Sequence, residues 1–69
     1  METQSLYLRI SPKEIYYLKF ILEGYDGMTT LSTIDPGEGI VVLRYPRDWC
    51  RDLFALLASL APEITPNKS

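Results

Sequence analysis

From Ser5 to Ile10 apolar and polar residues alternate, with Leu6, Leu8 and Ile10 on one side and Tyr7 and Arg9 on the other. A period of two predicts a strand with one face covered. After Ser11 the period lengthens: Ile15, Leu18, Ile21 and Leu22 recur at helical spacing and predict a helix with one apolar stripe. The change of period carries its own start signal. Ser11 can cap, Pro12 suits the first helical position, Glu14 stands where a capping box places its carboxylate, and Ile10 and Ile15 occupy the staple positions. Gly24 is expected in the left-handed conformation that ends a helix, with Tyr25 lying back on Phe20. Met28–Ile34, rich in Thr and β-branched residues, predicts a second strand. Its facing is open, because Leu31 and the pair Met28/Ile34 fall on opposite sides. Asp35-Pro36-Gly37-Glu38-Gly39 reads as a turn, with proline at a corner and two glycines able to adopt positive φ. Ile40–Tyr45 is then the returning strand of a hairpin. A second helix is expected from Pro46 to about Leu60, with Trp49, Leu53, Leu56, Leu57 and Leu60 at helical spacing, stopped by Ala61-Pro62. Residues 62–69 are expected to form a mobile tail.

The resulting order is β-α-β-β-α: an α+β, two-layer sandwich in a single domain, with an ordered core over about residues 5–61. Three antiparallel strands in the order 1-3-2, with both helices on one face, satisfy the usual connection rules. The plan resembles the ferredoxin-like fold lacking its last strand. That strand would have paired with the first one. The first strand is therefore expected to be an open edge carrying Leu6, Tyr7, Leu8, Arg9 and Ile10, and an open edge seeks a partner strand. A second copy related by a two-fold axis would give one continuous sheet, hence an expected homodimer.

Composition narrows the means of stabilisation. A chain of 69 residues buries only about 60% of its unfolded surface, and small domains commonly add disulfides, metals or association. One cysteine and no histidine exclude an internal disulfide and the usual zinc sites. Association remains, and an apolar content of 46% suits it. A net charge of −2 and a pI near 4.9 provide no basic footprint for nucleic acid or anionic membrane. No apolar run nears the roughly 20 residues of a membrane span. Met1–Ser5 lacks the cationic start and apolar centre of an export signal, so a cytoplasmic location is expected.

Several side chains are candidates for chemistry, and each has a plainer reading. Glu23 and Asp26 with Arg47 form a possible polar site, two carboxylates being the minimum for acid–base work or a weakly held divalent ion; ending a helix and shaping a turn also accounts for both acids. Tyr7, Arg9 and Arg44 are expected on the sheet face away from the helices, beside Val42 and the threonines. Aromatic and basic groups on an open sheet hold single-stranded RNA by stacking, although one aromatic on an acidic chain also suits a solvated face. Cys50 follows Trp49 near the start of the second helix; without histidine a papain-type pairing is excluded, and a small half-buried residue is the plainer role. Tyr16, Tyr17, Phe20 and Phe54 exceed what a two-layer core needs and form a possible partner surface, or else ordinary helix packing. Asp48 and Asp52 favour the dipole of the second helix.

The segments Glu23-Gly24-Tyr25-Asp26-Gly27 and Thr33-Ile34-Asp35, with Gly39, resemble a small bacterial family known as domain of unknown function 4911, over about Leu6 to Leu60. The resemblance implies those domain limits and a bacterial cytoplasmic setting, and no activity, ligand or cofactor. The strand-loop-helix start also resembles ACT-type amino-acid-sensing domains, from which this chain departs at Ser11-Pro12-Lys13, where they carry a glycine-bearing turn. The function expected is a non-catalytic cytoplasmic interaction module that self-associates through its first strand and presents its faces to another protein. The alternatives are an ACT-like small-molecule sensor with its ligand at the subunit junction and a weak RNA-binding sheet.

Overall fold

The computed structural model describes residues 3–25, 27 and 29–64. Its elements are β1 (Thr3–Arg9), α1 (Ile15–Tyr25), β2 (Thr30–Asp35), β3 (Ile40–Pro46) and α2 (Cys50–Ile64), with a 3-10 turn before each helix at Pro12–Glu14 and Arg47–Trp49. β3 lies between the other strands and runs antiparallel to both, in the order β1-β3-β2. This is the α+β arrangement that the residue pattern predicts.

Val41, Leu43 and Tyr45 alternate along β3 and are buried on one face. Ile15, Leu18 and Leu22 of α1 and Leu53, Leu60 and Ile64 of α2 join them in one core cluster, with Leu6, Leu8 and Leu31 packed against it. Both helices therefore cover the same side of the sheet. Leu18 and Leu43 are completely buried, and burial of this kind contributes about 2–3 kcal/mol per side chain. Between the helices, the Tyr17 hydroxyl donates to Glu63 Oε1 at 2.8 Å.

The hairpin turn is built from its own residues. Asp35 Oδ1 accepts from the Gly37 and Glu38 amides at 3.1 and 3.2 Å, an Asx arrangement that fixes the corner. Only the second of the turn's glycines adopts positive φ, Gly39 at 74°. The Ile10 amide donates to the Gly39 carbonyl at 2.8 Å, which ties the hairpin tip to the end of β1.

Three local expectations need correction, and the facing left open for β2 is resolved. The Ser11 side chain makes no capping bond; the Glu14 amide donates instead to the Ser11 carbonyl at 2.8 Å. The 3-10 turn thereby satisfies the N–H that a serine cap would have taken. Gly24 does not end α1, which continues to Tyr25; the left-handed residue is Gly27, with φ 69°. In β2, Leu31 faces the core and Ile34 is 54% exposed. Thr33 and Asp35 pair with consecutive residues Val41 and Ile40, so Ile34 is the extra residue of a β-bulge; Met28 lies outside the described residues. Finally, α2 does not stop at Ala61-Pro62 but carries Pro62 inside its last turns and ends at Ile64. Pro62 is exposed, and burial of Ile64 in the core outweighs one missing helical hydrogen bond. Of the expected tail, Pro62–Ile64 belong to this helix, and residues 65–69 lie outside the described part.

Candidate functional site

β1 and β3 pair without interruption from Thr3↔Pro46 to Arg9↔Ile40. The Ile10–Gly39 hydrogen bond continues the same register and sets its phase. In an antiparallel ladder alternate residues direct N–H and C=O to the neighbour, so Gln4, Leu6, Leu8 and Ile10 bond toward β3. The backbone groups of Thr3, Ser5, Tyr7 and Arg9 consequently point to the opposite edge. Ser11, next in that series, agrees: its amide donates away from β3, to the Ile64 carbonyl at 2.7 Å. Among the described residues β1 has no strand on that edge. Leu6 and Leu8 are only half-buried there, whereas Ile10 is 3% exposed. The expected edge residues Leu6, Tyr7, Leu8, Arg9 and Ile10 thus lie together, with Ile10 sealed into the core at one end.

The other edge of the sheet is of a different kind. The bulge at Ile34 breaks the register of β2, Pro36 follows directly, and α1 flanks the strand. Proteins blunt edges by bulges and prolines of this sort. β1 has neither.

Tyr7 stands opposite Val42, and Ser5 and Thr30 both stand opposite Arg44. The register places Tyr7, Arg9, Val42 and Arg44 on the face away from the helices, as the alternation predicts. Tyr7 is 65% exposed. Arg9 is turned to the hairpin tip, where its Nη2 meets Glu38 Oε1 at 3.3 Å. Both side chains are exposed, and such a pair contributes at most about 1 kcal/mol.

The remaining candidates are carried by α1, α2 and the 3-10 turn between β3 and α2. A hollow of about 500 Å³ between α1 and the start of β2 is lined by Lys19, Glu23, Gly27, Thr29, Thr30 and Leu31. Glu23 thus shares this hollow with Lys19, one helical turn before it, and Arg47 sits on the 3-10 turn ahead of α2. Asp26 lies outside the described residues. The i, i+4 spacing of Lys19 and Glu23 was the available signal for this hollow. Cys50 is a free, half-buried thiol beside Tyr45, whose phenol is pushed up by burial and by Cys50. Of the four aromatics, Tyr16 and Phe20 are 82% and 74% exposed. Tyr17 is held by Glu63, and that hydrogen bond is the main cause of the rise in its pKa. Phe54 meets Tyr45 edge-on with centroids 6.4 Å apart. Tyr16, Tyr17 and Phe20 thus stand on α1 and Phe54 on α2. Among the described residues no group of three or more Cys, Asp or Glu is placed to hold a metal ion, and no helix is long and apolar enough to cross a membrane.

No curated protein and no solved structure matches the chain. A family model described as a domain of unknown function, DUF4911, matches residues 8–64. That match takes in part of β1 and everything from the Ser11 turn to the last residue of α2, so the chain belongs to the DUF4911 family.

Proposed function

We propose that this chain is a non-catalytic interaction module that self-associates through β1 and offers the outer face of α1 to a different protein. The observation that carries the reading is the contrast between the edges: a regular seven-residue ladder on β1, and a bulged, proline-terminated strand on β2. Half-covered Leu6 and Leu8 on the regular edge are the apolar surface that a second copy would cover. Tyr16 and Phe20, one turn apart and largely exposed, are the aromatic anchors that interfaces favour. The free thiol of Cys50 suits a reducing compartment, and we place the module in the cytoplasm.

The test uses the backbone phase of β1. The Tyr7 amide points to the open edge, so Tyr7→Pro removes an outward donor while leaving the ladder to β3 intact. Sedimentation of the unaltered chain at tens of micromolar is expected to give a dimer, and Tyr7→Pro a folded monomer. A monomeric unaltered chain, or a Tyr7→Pro variant with the same dimer mass and an unchanged circular dichroism spectrum, would defeat the reading.

A further inference from the structure

Building on self-association through β1, we infer that the occupant of this edge is a second copy paired antiparallel with Tyr7 on the two-fold axis, so that Tyr7 faces Tyr7, Leu6 faces Leu8 and Ser5 faces Arg9. The phase of the ladder limits the choice. Outward hydrogen bonds are available at Thr3, Ser5, Tyr7 and Arg9, because Ile10 bonds inward to Gly39 and the groups alternate. The symmetric registers that pair at least five residues of β1 are therefore centred on Ser5, Leu6 or Tyr7. Leu6 and Leu8 point to the helix-covered side. Centring on Tyr7 sets each Leu6 against a Leu8 and the two exposed phenol rings against each other. Centring on Leu6 sets Leu6 against Leu6 but each Leu8 against Gln4, and centring on Ser5 sets each Leu6 against Gln4. Cross-strand apolar and aromatic pairs are the unit that stabilises a sheet, and the Tyr7 register gains three of them.

The helix layer agrees with this choice. A pairing of short strands alone falls below the roughly 800 Å² per partner of a stable interface, so α2 must contribute. Glu63 turns toward α1 through Tyr17, and Phe54 projects from the opposite flank at helical spacing, 45% exposed. Phe54 packs on Tyr45, the partner of Gln4, and Ile64 lies level with Ser11. Ala58, one turn after Phe54 on the same flank and near midway to Ile64, then falls level with Tyr7, and it is exposed. A small residue at the axis lets the two α2 helices approach, with the Phe54 rings covering the ends.

Single cysteines introduced into a Cys50→Ser background test the register. Paired residues in this geometry have Cα atoms about 4.5–5.5 Å apart, within disulfide reach, whereas residues offset by two along the strand fall near 8 Å, beyond it. Tyr7→Cys is expected to cross-link to itself under mild oxidation, and a mixture of Leu6→Cys and Leu8→Cys to form the mixed dimer. Leu6→Cys or Leu8→Cys alone should cross-link about tenfold less. Amide exchange gives an independent measure, with Ser5, Tyr7 and Arg9 slowing as concentration rises and Leu6 and Leu8 unchanged. Self-cross-linking of Leu6→Cys in preference to Tyr7→Cys would overturn the Tyr7 register while leaving self-association through β1 in place. A dimer by sedimentation with no cross-link at any of the three positions and no concentration-dependent protection in β1 would move the interface elsewhere. A monomer throughout would remove both claims.

Discussion

Two glycines of this chain have opposite consequences for substitution. A Cβ at Gly39 would overlap the Ile10 carbonyl oxygen, on a backbone already at φ 74°. Left-handed geometry costs a side chain about 1–2 kcal/mol before any overlap, so Gly39→Ala is expected to lose roughly 2–4 kcal/mol in urea denaturation. Gly24 is helical, with nothing within 4 Å of an added Cβ, and Gly24→Ala should gain about 0.5–1 kcal/mol in the same measurement. Tyr17 makes stability depend on alkaline pH. Its pKa is raised, first by the hydrogen bond to Glu63, then by desolvation and by the charges of Glu63 and Glu14. The folded chain therefore holds this proton more tightly than the unfolded one. The contribution is complete below the unfolded value of about 10 and is lost as pH rises through the higher folded value. Melting temperature should fall between pH 9.5 and 11, less steeply in Tyr17→Phe than in the unaltered chain; equal slopes would show that this phenol is not responsible.

The elements that could be read from sequence are those specified by their own residues. Leu6-Tyr7-Leu8-Arg9 alternates because β1 has one covered face, and Asp35 closes the hairpin by bonding amides two and three residues on. Misreadings came where distant partners decide. Pro62 reads as a stop, yet Ile64 is 5% exposed in the core, and its carbonyl takes the Ser11 amide from the far side of the sequence. No local pattern announces that contact. Ile34 looks like a strand residue and is one, but the bulge that turns it to solvent is a property of its pairing with β3. At the candidate site, the place of β1 at the end of the β1-β3-β2 order among the described residues followed from counting strands. Its hydrogen-bonding phase required the Ile10–Gly39 bond, and the placing of Glu23 and Lys19 against the start of β2 depended on how α1 is rotated on the sheet. The role of Ile64 can be measured. Ile64→Ala should cost about 2–4 kcal/mol, as for other buried large-to-small changes, and should speed amide exchange at Ser11. A cost below about 0.5 kcal/mol would mean that α2 frays beyond Pro62.

At the scale of the whole molecule, one sheet face carries both helices and, among the described residues, the other has none. A core of this size gives little margin, and the half-covered leucines of β1 leave part of it unfinished. If a second copy supplies the missing cover, folding and association are a single equilibrium, and stability must depend on protomer concentration. For a dimer of chains this length, a tenfold rise in concentration should raise the melting temperature by about 3–5 °C, given the unfolding enthalpy usual per residue. Tyr7→Pro, which blocks the edge without breaking the ladder to β3, should melt at one temperature across the same range. The comparison separates two causes of low stability. A core that is merely small would melt low at every concentration in both proteins, whereas a core completed by its partner would gain with concentration only where the edge remains open. Differential scanning over a hundredfold range of protein therefore decides whether β1 is an exposed strand that the fold tolerates or half of a sheet formed by two chains.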